Sequence, residues 1–228
     1  MELRIEPLRE EEIDDYIRTF WEAFEPPSAD MIMPMIYLNG LQEDTMELFR
    51  YRIWQRTGGD FAKHCFTAKD VATGDIVGIS WWASDLHPPA SRDEIEEAYQ
   101  ASRKKRGAEP QVEGMNEELA REYFKVAFCS ELETIAGRPY VTLRMLATNP
   151  RYHRRGVGSL LLKHGLEKAD SLGLPVYLDC SVGGKPLYER YGFKVIGDFP
   201  LNCSEYGGRS NGTHWLMLRE PQGARKEE

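Results

Sequence analysis

Two glycines, Gly156 and Gly158, follow an apolar run and precede a helical pattern, and Arg151, Arg154, Arg155 and Lys163 lie beside them. A turn that opens directly into a helix leaves about four backbone N–H groups without intrahelical partners. Those donors stand at the positive end of a dipole worth roughly half a charge. Glycines lack Cβ atoms, so a ligand can approach the backbone closely, and the arginines and lysine add charge-assisted contacts. The chemistry of this pattern is capture of a small phosphorylated anion. A P-loop is excluded, because GxxxxGK[ST] is absent. A dinucleotide fingerprint is disfavoured, because Leu161 stands where GxGxxG needs its third glycine.

The charge distribution supports the same reading. The chain has 228 residues and a net charge of −8, with pI near 5.3. Residues 134–166 nevertheless contain no Asp or Glu and carry Arg138, Arg144, Arg151, Arg154, Arg155 and Lys163. A long polyanion such as a nucleic acid would be repelled by the rest of the molecule, whereas a small one would not. The four cysteines, Cys65, Cys129, Cys180 and Cys203, form no CxxC pair, so no zinc or thioredoxin-type motif is expected and a reducing cytoplasm is the expected compartment. The opening MELRIEPLREEE is charged from its second residue and lacks the apolar region of a secretory signal.

The elements that must position the glycine turn alternate between strand and helix. Strands are predicted over 3–7, 61–68, 76–84, 140–148, 176–180, 193–199 and 214–218, and helices over 11–24, 44–56, 159–172 and 186–191. Pro26-Pro27 stops the first helix, and residues 31–38 form an apolar, Met-rich segment. Asp44 and Glu47 make a capping box for the second helix, which ends at Gly58-Gly59. Leu162, Leu166, Ala169 and Leu172 form the buried stripe of the helix behind the glycine turn. Residues 86–137 form a helical insert, opened by the capping box Ser91-x-x-Glu94 and closed at Gly137. The expected architecture is α/β: a mixed sheet of six or seven strands flanked by helices, in one domain over 1–220, with 221–228 a disordered tail.

Two blocks together resemble the GCN5-related N-acetyltransferases (the GNAT superfamily). His153-Arg-Arg-Gly156-Val-Gly158 resembles the acetyl-CoA pyrophosphate loop, [Q/R]-x-x-G-x-[G/A], with His153 a departure from the family's Gln or Arg. About 30 residues on, the stretch from Ser181 through Gly184 and Tyr188 to Gly192-Phe193 resembles the short helix ending in LYxxxGF, in the form shared by puromycin-type and many fungal small-molecule enzymes. The resemblance covers 140–198, extends to 3–84 and is silent on the insert. It implies acetyl-CoA as co-substrate. The pyrophosphate would lie against His153, Arg154, Arg155, Gly156, Val157, Gly158, Ser159 and Lys163, with Ser181 and Gly184 nearby. It implies the pantetheine arm along Leu146, Ala147 and Thr148, with strands splayed after residue 148 and a backbone N–H such as that of Leu146 facing the developing oxyanion. It also implies that Tyr188 protonates the departing thiolate, and that Asp179 stands where relatives often carry a Glu base.

Acetyl transfer from a thioester requires a neutral amine, whose conjugate acid has a pKa near 10.4, and donors for the oxyanion. Asp179 is the first candidate base, with Asp85, His87 and His214 behind it. The acceptor pocket is expected between the first two helices, the insert and the last strands, walled by Trp21, Phe24, residues 31–38 and Trp81/Trp82, with the insert as a lid. The leading expectation is acetylation of a primary amine on a small molecule by direct attack in a ternary complex, without metal, by a monomer or homodimer. The alternatives are a protein or peptide acetyltransferase and a non-catalytic acyl-CoA-binding module. No nucleic-acid or membrane partner is expected.

Overall fold

A computed structural model describes residues 1–24, 32–206 and 214–223. Alternation in β1 (Leu3–Pro7) and runs buried on both faces in β2 (Cys65–Asp70), β3 (Ile76–Asp85) and β4 (Tyr140–Thr148) build the first four strands, which pair antiparallel in sequence order. Gly74, at φ +80°, makes the β2–β3 turn. β5 (Val176–Cys180) then runs parallel to β4, and β6 (Lys194–Asp198) and β7 (Trp215–Arg219) complete a seven-stranded sheet in the order β1-β2-β3-β4-β5-β7-β6. α1 (Ile13–Phe24) covers one face at β3 and β4, backed by α2 (Ile32–Ile36) and α3 (Glu43–Thr57). A single turn, α4 (Phe61–His64), leads into β2. The insert contributes α5 (Arg92–Arg106) and α6 (Glu117–Ile135). α7 (Val157–Ser171) covers the opposite face, and α8 (Lys185–Arg190) links β5 to β6. The sheet and the placement of the helical insert between β3 and β4 agree with expectation.

Several local expectations do not hold, for identifiable reasons. Residues 61–64 form a helical turn instead of the start of a strand, which drops Phe61 into the core beside α1. Asp44 lies inside α3, behind Gln42 at the N-cap, and its carboxylate accepts from Thr45 N at 2.6 Å and Glu113 N at 2.7 Å. It therefore ties α3 to the insert and forms no capping box. Leu172 lies past the last turn of α7 and is 53% exposed, leaving Leu161, Leu162, Leu166 and Ala169 as the buried stripe. Ala136, at φ +50°, takes the left-handed cap of α6. Gly137 follows at φ +77° and so shares in ending the helix as expected, and a Cβ there would also stand 2.6 Å from that of Ala90. The Ser91–Glu94 capping box is present. Pro26-Pro27, Met31 and residues 224–228 lie outside the described residues.

The insert is tied to α2 and to the core. Leu38 N donates to Gly114 O, Asn116 N to Ile36 O and Asn39 Nδ2 to Glu113 O, while Leu119 and Ala120 are buried in the same core as α1. On the other face, Gly165 lets α7 sit directly on Trp82, since a Cβ there would fall 2.1 Å from the indole ring.

Beside β1, buried Lys69 donates to Glu6 Oε2 at 2.8 Å and to Glu12, whose other close partner is Arg9 at 2.5 Å. The Arg9 bond and then Lys69 outweigh burial and hold the Glu12 carboxyl down at about 2, from an ordinary 4.5. The folded-state value lies below the unfolded one, so this stabilisation is complete above pH 4.5 and is lost as pH falls toward 2. It amounts to about 3 kcal/mol. Urea unfolding should show Glu12→Gln less stable than wild type near neutrality. The variant's stability should also fall less steeply across that acid window, and equal slopes would remove Glu12 from the account.

Candidate active site

The site begins where β4 and β5 part. They pair only at Val141/Val176 and Thr142/Tyr177, so the edge of β4 from Leu143 to Thr148 faces no strand on that side. The opening therefore starts well before residue 148, where the sequence placed it. A register shift adds to the effect: Trp81 faces Met145 and Trp82 faces Leu143, leaving Arg144 as an extra residue in β4. Such a bulge sharpens the local twist and re-aims the side chain it carries.

The carboxyl end of β4 delivers the chain to the glycine turn. Asn149 N donates to Val77 O at 3.0 Å, and its side chain accepts from Arg151 N and donates to Glu22 at 2.5 Å, which fixes the loop on both β3 and α1. His153 Nε2 lies 3.1 Å from Thr148 O, so the imidazole closes the loop back onto β4. Arg154 has φ +60° and Gly156 φ +84°. A left-handed arginine costs about 1–2 kcal/mol, a strain of the kind found at ligand clamps. The first α7 bond runs from Leu160 N to Gly156 O, leaving the N–H groups of Val157, Gly158 and Ser159 at the free helix end. Gly78 makes room for this end on β3, since a Cβ there would meet Val157 Cγ1 at 2.4 Å.

The basic residues separate into two sets. Arg154 and Arg155 are exposed, with no carboxylate within 4 Å among the described residues, and Arg155 lies over Tyr152 at 5.5 Å. Lys163 makes an exposed 3.7 Å pair with Glu167, a contact worth little. Arg138 pairs with Glu220 and Arg144 with Glu131, so these two point away from the turn.

α8 stands against this turn. A Cβ on Gly158 would lie 3.4 Å from Leu187 Cδ2 and 3.5 Å from Thr148 Oγ1, so the two sequence blocks meet in space at the end of β4. Ser181 O caps the start of α8 by accepting from Gly184 N and Lys185 N. Gly184 lies against the Tyr188 ring, where a Cβ would come within 2.8 Å. Tyr188 is 8% exposed and T-stacked on Phe193 at 5.6 Å. Its hydroxyl makes no hydrogen bond among the described residues. Burial, then Cys180 and Asp179, push the phenol well above its ordinary value of 10.

Asp179 lies on β5 with its side chain 32% exposed, Oδ2 3.9 Å from Nδ1 of buried His214. Its charge also reaches Arg144 and Tyr188. Asp85 and His87 lie farther off: Asp85 Oδ1 accepts from His87 N, and Asp85 lines a cavity of about 260 Å³ with Glu131, Tyr140, Thr142 and Arg144 beneath the insert. The expected aromatic walls are mostly core. Trp21 is 6% exposed and packs on Tyr37 and Phe49, and Trp82 is 6% exposed beneath α7. Only Phe24 of the three keeps partial access, tilted on Phe20 at 4.9 Å. Trp81 and Trp82 point to opposite faces because strand side chains alternate.

Residues 120–195, from α6 into β6, match the family model of the acetyltransferase (GNAT) domain. That match spans 76 of the 228 residues. The chain is 39% identical over 59 residues to the uncharacterized N-acetyltransferase YafP of Escherichia coli (strain K12). That match covers 26% of this chain and 37% of the curated relative's length. Among solved structures, an agmatine N-acetyltransferase mutant in its apo form superposes with a TM-score of 0.65 at 15% identity, covering 96% of this chain and 100% of that one. Arylalkylamine N-acetyltransferase 2 from Aedes aegypti gives 0.64 at 15% identity, covering 96% and 99%. At these identities the likeness is one of fold. No helix among the described residues is long and apolar enough to cross a membrane.

Proposed function

We propose that this protein is an acetyl-CoA-dependent N-acetyltransferase acting on a primary amine of a small molecule by direct attack in a ternary complex. The observation that carries this reading is the meeting of the α7 N-terminus with α8 at the mouth of the β4–β5 opening. The residues fit the coenzyme: free helix-end amides, a strained Arg154, a glycine cradle and two arginines without carboxylate partners among the described residues. The thioester supplies an activated acyl group.

The N–H groups of Val157, Gly158 and Ser159 hold the diphosphate, with Arg154 and Arg155 adding charge, while the contribution of His153 is to loop shape. The open edge of β4 at Leu146, Ala147 and Thr148 hydrogen-bonds the extended arm as a further strand would. Holding both reactants in line supplies much of the acceleration. As the amine nitrogen bonds to the carbonyl carbon, a β4 backbone N–H faces the developing oxyanion. When the carbon–sulfur bond breaks, Tyr188 donates a hydrogen bond to the thiolate, and Asp179, with His214 beside it, accepts the ammonium proton through solvent. Residues 1–220 act as one catalytic unit in the cytoplasm, where the coenzyme is available. The small-amine class draws support from the names of the agmatine and arylalkylamine enzymes that share the fold.

Calorimetry with acetyl-CoA followed by thiol release across an amine panel tests this reading. Saturable binding and amine-dependent release are expected. Absence of binding at millimolar coenzyme would end the proposal, and binding without release for any amine would make the protein a non-catalytic acyl-CoA module.

A further inference from the structure

On the α1 face of the sheet, beyond the opening between β4 and β5, four arginines from three distant segments converge. Arg52 and Arg56 come from α3, Arg106 from the end of α5 and Arg144 from the β4 bulge. The first and last of these are neutralised. Arg52 gives two bonds to Glu109 Oε2, at 2.9 and 2.6 Å, and a third to Tyr37 Oη at 2.6 Å, while Arg144 pairs with Glu131. Arg56 and Arg106 have no carboxylate within 4 Å among the described residues. Aromatic faces hold them instead: Arg56 lies over Trp81 at 5.7 Å, and Arg106 over Tyr99 at 5.7 Å and Phe124 at 5.6 Å.

This arrangement has a positive surplus, with Arg56 and Arg144 exposed and Arg106 half-buried. Desolvation by nearby protein, then the charges of Arg52 and Arg144, bring Arg56 down to about 10. Desolvation also lowers Arg106, with Arg52 adding to the effect. The α3 carboxyl terminus favours one cation in its last turn by about 0.3–1 kcal/mol. That does not account for a second and third guanidinium drawn to the same spot. Glu109, which neutralises Arg52, keeps Oε1 buried with no hydrogen-bond partner among the described residues. Arg144 lies on the edge of β4 that β5 leaves unpaired, two residues before Leu146, which puts the cluster next to the proposed reaction centre.

Planar guanidinium groups match carboxylates and phosphates through paired N–H donors. We propose that Arg56, with Arg106 and Arg144 beside it, binds an oxyanion group carried by the amine that is acetylated, so that the acceptor is an amino acid-like or phosphorylated amine. This rests on the acetyltransferase reading above. A dication such as agmatine would meet this cluster with like charge.

The test is acetyl transfer to matched acceptors: 4-aminobutyrate against 4-aminobutyramide, and O-phosphoethanolamine against ethanolamine. Each charge-assisted pair formed should favour the anionic member by about tenfold or more in kcat/KM. Whether the carboxylate or the phosphate member shows the larger ratio identifies the group. Arg56→Met should reduce the ratio to near unity, while Arg56→Lys, which keeps the charge, should retain part of it. Acetyl-CoA calorimetry on both variants reports that they are folded. Preference for neutral amines, or an unchanged ratio in Arg56→Met, overturns the proposal. If the coenzyme binds but no amine is acetylated, the acetyltransferase reading has failed on its own. The anion site is then judged by titrating glutarate and inorganic phosphate into the acetyl-CoA complex. Binding that Arg56→Met abolishes upholds the site, whereas absent or unaffected binding overturns it.

Discussion

Gly158→Asp should raise the dissociation constant for acetyl-CoA by about 100-fold or more without lowering the unfolding temperature. The substitution separates two roles of the same position. Gly158 is the second residue of α7, where a carboxylate interacts favourably with the helix dipole by about 0.3–1 kcal/mol. Replacing a helical glycine removes a further entropic penalty, and the nearest atoms to the new Cβ, at 3.4 and 3.5 Å, are in ordinary contact. The fold should therefore tolerate or gain from the change. A diphosphate held by the same N–H groups would meet a fixed negative charge at about 4 Å, a repulsion of about 4 kcal/mol at an effective dielectric of 20, reduced further by salt. Gly158→Ala, with no charge, should weaken binding far less. Calorimetry and thermal unfolding on the three proteins decide the matter. A stable Gly158→Asp protein that binds acetyl-CoA as tightly as wild type would mean that the diphosphate is not held at this helix end.

Much of this site was legible because its signals are local. β4, β5, the glycine turn and the Ser91 cap each declare themselves within about ten residues, and their spacing along the chain places α8 after α7. What the sequence concealed depends on pairing across the sheet. The bulge at Arg144 exists only in the register of β4 against β3, and the early parting of β4 from β5 only in theirs. The two tryptophans illustrate a signal that was present and misread. Strand alternation alone separates Trp81, on the Arg56 side, from Trp82 under Gly165, so the pair cannot form one wall. Likewise the run of basic residues from 138 to 163 is not a single field, because Arg138 and Arg144 are engaged by Glu220 and Glu131. The arginine cluster joins Arg144 of that run to Arg52, Arg56 and Arg106, which lie outside it. Asn149 and Glu22, which fix the loop, sit 127 residues apart and carried no pattern to notice.

Tyr188→Phe should lower kcat by about 100-fold while acetyl-CoA affinity stays within about twofold. The ring is engaged by Gly184 and Phe193, and phenylalanine preserves those contacts, so the substitution removes one hydroxyl that makes no hydrogen bond among the described residues. Its stability cost should be small, because no buried partner loses its bond. Burial, with the charges of Cys180 and Asp179, keeps the phenol protonated through the whole working range, so the donor is available at every pH where the amine can attack. Two consequences follow for the wild-type pH profile. The alkaline limb cannot arise from Tyr188, and the acid limb should track deprotonation of the ammonium and its acceptor. In Tyr188→Phe the depressed rate should therefore keep the same pH midpoints, since the missing group does not titrate in that window. Single-turnover acetyl transfer measured across pH checks both points, free of product release. A rate within about twofold of wild type would leave Tyr188 as a packing residue for α8, and stabilisation of the departing thiolate would have to come from solvent.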